Sequence, residues 1–330
     1  MAKGVGQKLK LLYLVKILSE QTDEQHPMNG KELMNALSEY GIEVERKTFY
    51  DDIHLLQDFG YDIVSVQANR TNNYYMASRQ FELPELKLLV DSVQASKFIT
   101  EKKSQELIDK LSTLTSKNEA DSLRRQVYMY GRPKTSNEKI YYNVDVIHRC
   151  IAENVKIQFK YFEWNEKKEQ ILRHDGQEYK VSPWALSWAD ENYYLVGYDK
   201  KDEKIKHYRV DKMLDAKLCD REYREGREQF NGFDMAAYSK KMFSMYEGGD
   251  EMVTLECDNR FAGILIDRFG SDVNFVPVDK DHFQVHVKVS VSRQFFGWIL
   301  ALGSGIKIVG PSSVVEQFRD VLTETTERYE

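Results

Sequence analysis

The chain has 330 residues, of which 42% are hydrophobic, 12% aromatic and 30% charged, with a formal net charge of −6. At roughly 100–200 residues per domain this is two or three domains with enough apolar surface for packed cores. Six prolines and 18 glycines exclude a collagen-like or largely disordered chain, and the acidic balance excludes a globally basic nucleic-acid binder.

The first 80 residues read as three short helices followed by a hairpin. Leu9, Leu12, Tyr13, Lys16 and Ile17 follow helical spacing, with Lys16 the one polar member. Leu33, Leu37 and Tyr40 line a second helix that Gly41 ends, and Ile42 to Glu45 form a turn. Phe49, Ile53 and Leu56 share a face of a third helix, closed by Gly60. Two β-like runs, 63–66 and 74–77, flank Asn69-Arg70-Thr71-Asn72-Asn73, which has hairpin chemistry. Three helices with a tight turn before the third, then a hairpin, predict a winged helix-turn-helix.

Residues 81–135 read as a charged helical linker. Leu86, Leu89, Val90, Val93 and Phe98 give an apolar stripe that Leu107, Leu111 and Leu114 continue. Arg124, Arg125, Arg132 and Lys134 make a basic stretch near its end. From 136 to 220 the pattern turns to β. A helix through Val146, Ile147 and Ile151 precedes strand candidates at 157–162, 177–181, 192–198 and 205–210, the arrangement of a small SH3- or Sm-like barrel. Residues 221–330 end in a βαββαβα order close to a ferredoxin-like α+β unit. The fold expected is thus α+β and multidomain, with segments 1–80, 81–135, 136–220 and 221–330.

The chemistry supports binding rather than catalysis. Cys150, Cys219 and Cys257 are scattered and form no CxxC, so neither a disulfide framework nor a four-ligand zinc site follows, and a reducing cytoplasm is expected. No P-loop, GxGxxG, HExxH or GxSxG is present. His282 and His286 sit four apart in a strand-like run without a third ligand nearby. No enzyme activity, cofactor or metal is expected. The N-terminus lacks a signal-peptide apolar region, and no apolar run approaches the ~20 residues that span a bilayer, so no membrane partner is expected either.

At the reader end, Arg46, Lys47, Thr48 and Tyr50 lie at the start of the third helix, off its apolar face. Arginine pairs with guanine edges, and hydroxyls hold phosphates. Arg70 sits at the hairpin tip. A solvated charged face is the plain alternative, and it gains weight because residues 1–80 hold nine Lys and Arg against eleven Asp and Glu. In the β-rich region, His207, Arg209 and Asp211 share one strand face while Tyr208 and Val210 suit the core. Lys160, Arg173, His174, Lys180 and Lys212 add positive charge, and Tyr161, Tyr179, Trp184, Trp188, Tyr193 and Tyr198 supply rings. Cations interleaved with aromatics are the means by which small barrels hold phosphates and stack bases. An aromatic core with solvated lysines fits the same residues.

Three stretches together, Arg46 to Ile53, Asn192 to Tyr198 and His207 to Lys212, give the chain a resemblance to bacterial WYL-domain transcriptional regulators over nearly its whole length. The Trp-Tyr-Leu that names the domain is Tyr193-Tyr194-Leu195 here, and the recognition helix carries Asp51-Asp52-Ile53 where such proteins often have Arg-Asp-Ile. A second arginine often found beyond the Arg209 position is Lys212. The resemblance implies a ligand-responsive, homodimeric DNA-binding protein. Its partners would be double-stranded operator DNA and an effector, a nucleotide or single-stranded nucleic acid in some members. It implies ligand contacts at Tyr193, His207, Arg209 and Lys212. A single-strand-binding module and a protein-interaction adaptor stay open as alternatives.

Overall fold

The structure is a computed structural model that describes residues 3–68, 70–123, 134–230, 242 and 248–330. Among these are ten α-helices and three antiparallel sheets, in two compact units, Met1–Glu138 and Lys139–Glu330.

The first unit opens with α1 (Lys3–Gln21), β1 (Met28–Asn29), α2 (Gly30–Glu39) and α3 (Arg46–Phe59), then β2 (Ile63–Ala68) and β3 (Thr71–Met76). Asn29 and Glu32 form a reciprocal capping box that starts α2. Gly60, at φ 111°, ends α3 in the left-handed conformation that glycine adopts without steric cost. Strands pair in the order β1-β3-β2. Leu14, Ile17 and Leu18 of α1 pack with Leu33, Leu37, Phe49, Ile53, Leu56, Ile63, Tyr74 and Met76 in one core.

The face of α1 differs from the sequence expectation. Leu12 is 66% exposed, whereas Lys10 is buried. Lys10 Nζ lies 2.6 Å from Asp52 Oδ2 on α3, and both side chains are out of solvent. The inward series is therefore Lys10, Leu14, Ile17 and Leu18, with a cation in a position that hydrophobicity alone assigns to the surface.

The segment expected as a linker forms α4 (Leu83–Ala95), α5 (Glu101–Ser112) and α6 (Lys117–Leu123). They close on Leu86, Val90, Ile108 and Leu123, while Leu89 turns outward. A buried polar joint ties α6 to the end of α1. Ser116 accepts from the Glu119 N–H (3.1 Å) and donates to Asp23 Oδ2 (2.6 Å). Arg79 donates to the carbonyls of Ser19 and Thr22, both at 2.6 Å. Of the expected basic stretch, Arg124, Arg125 and Arg132 lie outside the described residues. Lys134 is not a surface cation: its ammonium donates to Val93 O (3.4 Å) and Ser96 O (3.3 Å) at the end of α4 and to Ser104 Oγ (2.6 Å) of α5.

The second unit begins with α7 (Ile140–Ala152), followed by β4 (Val155–Trp164), β5 (Gln170–Leu172), β6 (Tyr179–Ala189), β7 (Asn192–Asp199), β8 (Lys204–Arg209) and β9 (Met213–Tyr223). The sheet runs β5-β4-β6-β7-β8, and β4 also pairs with β9. One strand with three partners makes the sheet curl. Register shifts in β4 against β9, and in β6 at Pro183/Ala185, sharpen the bend. Ile147 and Cys150 of α7 are buried with Ile157, Phe159, Val181, Leu195, Val196, Val210 and Met213. Asn143 of α7 donates to Met213 O at 2.9 Å. All three cysteines are free and buried, and burial pushes the Cys150 and Cys257 thiols up to about 12.

The remainder is β10 (Gly249–Asp258), α8 (Ala262–Phe269), β11 (Phe275–Pro277), β12 (His282–Val291), α9 (Arg293–Ala301), β13 (Ile306–Gly310) and α10 (Ser312–Thr326). The sheet order is β11-β12-β10-β13, antiparallel throughout. Alternate residues Val253, Leu255 and Cys257, and Val285, Val287 and Val289, pack on Leu265, Phe295, Phe296, Ile299 and Val314. His282 binds Asp279 and His286 binds Thr254, and among the described residues no group of three metal-binding side chains forms. No described helix is long and apolar enough to cross a membrane.

Candidate functional site

The concave side of the curled sheet holds a cavity of about 670 Å³. Tyr161 and Glu163 come from β4, Tyr179 from β6, Asn192 and Tyr194 from β7, and Lys206, His207, Tyr208 and Arg209 from β8. Arg173, His174, Asp190 and Lys212 complete it from the connecting turns. Four successive residues of β8, from both of its faces, reach the lining.

Its floor is aromatic. Phe159 and Tyr179 stack with centroids 5.5 Å apart, and Tyr208 meets Phe159 and Tyr161 edge-on at 5.3 and 5.8 Å. Such pairs fix ring positions beyond what burial alone does. Burial pushes the Tyr161 phenol up to about 12, so it stays protonated. The Tyr161 hydroxyl accepts the Arg209 N–H at 3.1 Å.

Arg209 is oriented before any ligand arrives. Nε and Nη2 donate to the two Asp211 oxygens at 3.0 and 2.8 Å, a bidentate fork, and Nη2 also donates to Asn192 Oδ1 at 2.9 Å. The bonds from Asp211 raise the guanidinium pKa further. Arg173 pairs with Glu163 and lies 6.0 Å from the Tyr161 ring centroid. Lys206 bonds Asp199 at 2.7 Å and also pairs with Asp202. Burial opposes the Lys206 charge, but those two carboxylates outweigh it and raise the pKa.

Lys212 differs. Burial depresses its ammonium, and the Arg209 and Arg173 cations depress it further against a partial pull from Asp211. A lysine whose charge is disfavoured by burial and by neighbouring cations gains from an incoming anion. His207 sits beside them, held neutral by burial at about 4. Neutral, it adds no charge to the cluster.

Of the four candidate ligand residues, His207, Arg209 and Lys212 line this cavity together. Tyr193 does not: its ring packs edge-on against Trp188 at 4.6 Å, and the next residue, Tyr194, lines the cavity opposite Arg209 in the β7–β8 register. Tyr161, Tyr179, Arg173 and His174 belong to the lining and were legible only as cations and rings of the same region.

At the other end of the chain, Arg46, Lys47 and Thr48 are exposed on the first turn of α3, and Tyr50 is half-buried. Arg46 Nε donates to the Tyr50 hydroxyl at 3.3 Å. Arg70 is exposed at the tip between β2 and β3, with φ 60°. Asp51 is exposed, but Asp52 faces inward to Lys10.

Known proteins give two sequence matches. Residues 142–218 match the WYL domain and residues 250–325 match the WCX domain. Comparison with curated proteins finds no match. Among solved structures, proteasome accessory factor B/C of Arthrobacter aurescens is similar at 14% identity with a TM-score of 0.27. The similarity covers 94% of this chain and 45% of that one, so the chain spans less than half its length. The chain thus carries a WYL domain that coincides with the curled sheet and its cavity, and a WCX domain that coincides with the C-terminal sheet.

Proposed function

We propose that the protein is a one-component transcriptional regulator. It reads operator DNA through a winged helix-turn-helix at 1–80 and senses a phosphate-bearing effector, a nucleotide or a single-stranded nucleic acid, in the WYL cavity. The observation that carries the effector reading is the cluster of Arg173, Arg209 and Lys212 over an aromatic floor, with the Lys212 charge left the least compensated. Phosphate supplies the missing anion, and a base fits the rings.

The DNA reading rests on α2, the turn after it and α3, with the Arg46-Lys47-Thr48 edge outward and the β2–β3 hairpin as the wing carrying Arg70. A homodimer matches such a head to an inverted repeat. The sheet order of the C-terminal sheet supports a ferredoxin-like reading of 221–330, with 81–135 as the connecting helices. The acidic excess of residues 1–80 favours one competing reading, a head that docks a protein. That reading predicts no salt-dependent DNA binding.

Titration calorimetry with nucleotides and short 5′-phosphorylated single strands tests the cavity. At least one such ligand binds the full chain, and Lys212→Met weakens it by about tenfold, the scale of one lost charge-assisted bond. Equal affinity in Lys212→Met, or no phosphate ligand bound by the wild type, contradicts the assignment.

A further inference from the structure

Behind one lining residue of the cavity lies a contact from outside the matched WYL domain. Tyr194, which lines it, packs in a buried cluster with Ala189 and Met242. Met242 is 4% exposed, and its carbonyl accepts a 2.6 Å bond from Arg268 Nη2 on α8. Arg268 thus reaches from the C-terminal sheet's first helix to a residue seated on the sensor. Its guanidinium is half-buried, which disfavours its charge, and the Asp190 carboxylate, itself part of the cavity lining, partly restores it.

The segment under this contact is strained. β6 and β7 are joined by Asp190 and Glu191, with Ala189 paired to Asn192. Both turn residues have positive φ, 46° and 62°. That is the pattern of a type I′ hairpin turn, which ordinarily takes Asn-Gly. An Asp-Glu pair holds it only where the surroundings over-determine the backbone. Met242 and Arg268 are those surroundings on one side. The cavity residues Asp190, Asn192 and Tyr194 lie on the other.

We infer that α8 braces the ligand cavity through Arg268 and Met242, so that filling the cavity and ordering this seam favour each other. The inference rests on the cavity reading for its ligand, and on the contacts alone for the brace. Linkage makes the effect reciprocal: what α8 does to cavity affinity, the ligand does to the order of α8. This gives the C-terminal sheet and its helices a defined part in sensing, by which a change at the cavity is passed beyond the curled sheet.

Hydrogen–deuterium exchange of the full chain decides it, with a short 5′-phosphorylated oligothymidylate as probe. Wild type, Arg268→Gln and Met242→Ala are compared, and Arg268→Lys is added as a variant that keeps the charge but not the fork. In the free protein, Arg268→Gln and Met242→Ala speed exchange of amides 189–195 by about tenfold while α7 and β9 stay as protected as in wild type, and Arg268→Lys gives a smaller change in the same direction. In the wild type, the probe slows exchange in both 189–195 and 262–269. Folded variants with wild-type exchange at 189–195 overturn the brace. A probe that binds and protects 189–195 but leaves 262–269 unchanged overturns the coupling. A wild type that does not bind the probe overturns the single-strand form of the cavity reading, and with it the coupling to such a ligand, while the free-protein comparison still decides the brace.

Discussion

Lys10 and Asp52 show how one residue changes the reading of a surface. From sequence, Asp52 reads only as one of two adjacent acids in the third helix. The structure turns it inward, where it neutralises a lysine of α1 and locks the two helices together. Removing one partner leaves a buried charge unanswered, a loss of roughly 3–5 kcal/mol, whereas replacing both by apolar side chains is near neutral. Urea unfolding should therefore show Asp52→Ala and Lys10→Met each strongly destabilised, and Lys10→Met/Asp52→Leu close to wild type. Additive losses would contradict a coupled pair. His207 gives a second residue-scale test. Its folded pKa of about 4 lies below the ordinary 6.5, so as pH falls the unfolded chain takes the proton first. The stability this neutral imidazole contributes is complete above pH 6.5 and is lost from there down to about 4. Between pH 7 and 5 the wild type should lose about 1–2 kcal/mol more than His207→Gln. Parallel losses in denaturant titrations at the two pH values would show that the imidazole is hydrated.

At the scale of elements, helix ends and long strands were legible, while faces and short strands were not. Gly60 after α3 and the alternation in β4 are local signals, and the structure follows them. The face of α1 was misassigned because periodicity treats lysine as a surface residue, and only the distant Asp52 makes Lys10 an inward one. β1 and β5, of two and three residues, carry too little pattern to stand out. β9 was missed because its pattern is broken by the bends against β4. Adjacent tyrosines of a strand face opposite ways, and the sequence alone could not say which one meets a cavity made by the curl. Lys134 read as part of a basic run, yet it seals the end of α4. Burial lowers its pKa, and its three acceptors keep it in place. Lys134→Met should cost about 1–3 kcal/mol through unmade hydrogen bonds, visible as a lower urea midpoint at unchanged slope. An unchanged midpoint would make the contact incidental.

For the whole molecule, the change from helical to β-rich pattern along the chain was readable because the two have different periods, 3.6 residues in helices and 2 in strands. The cavity was readable only as a tally of cations and rings. Its assembly depends on contacts between strands far apart in sequence, such as Tyr161 to Arg209. The proposed function joins two chemistries in one chain: an exposed Arg46-Lys47-Thr48 edge to meet DNA and a cationic, aromatic cavity to meet an effector. The most direct test is recovery of genomic DNA fragments by the purified full chain at physiological salt, with sequencing of what is retained. The account predicts a small set of fragments sharing an inverted repeat, lost as salt rises. Retention of no fragment, or of all fragments equally, with and without phosphate-bearing ligands, would contradict it.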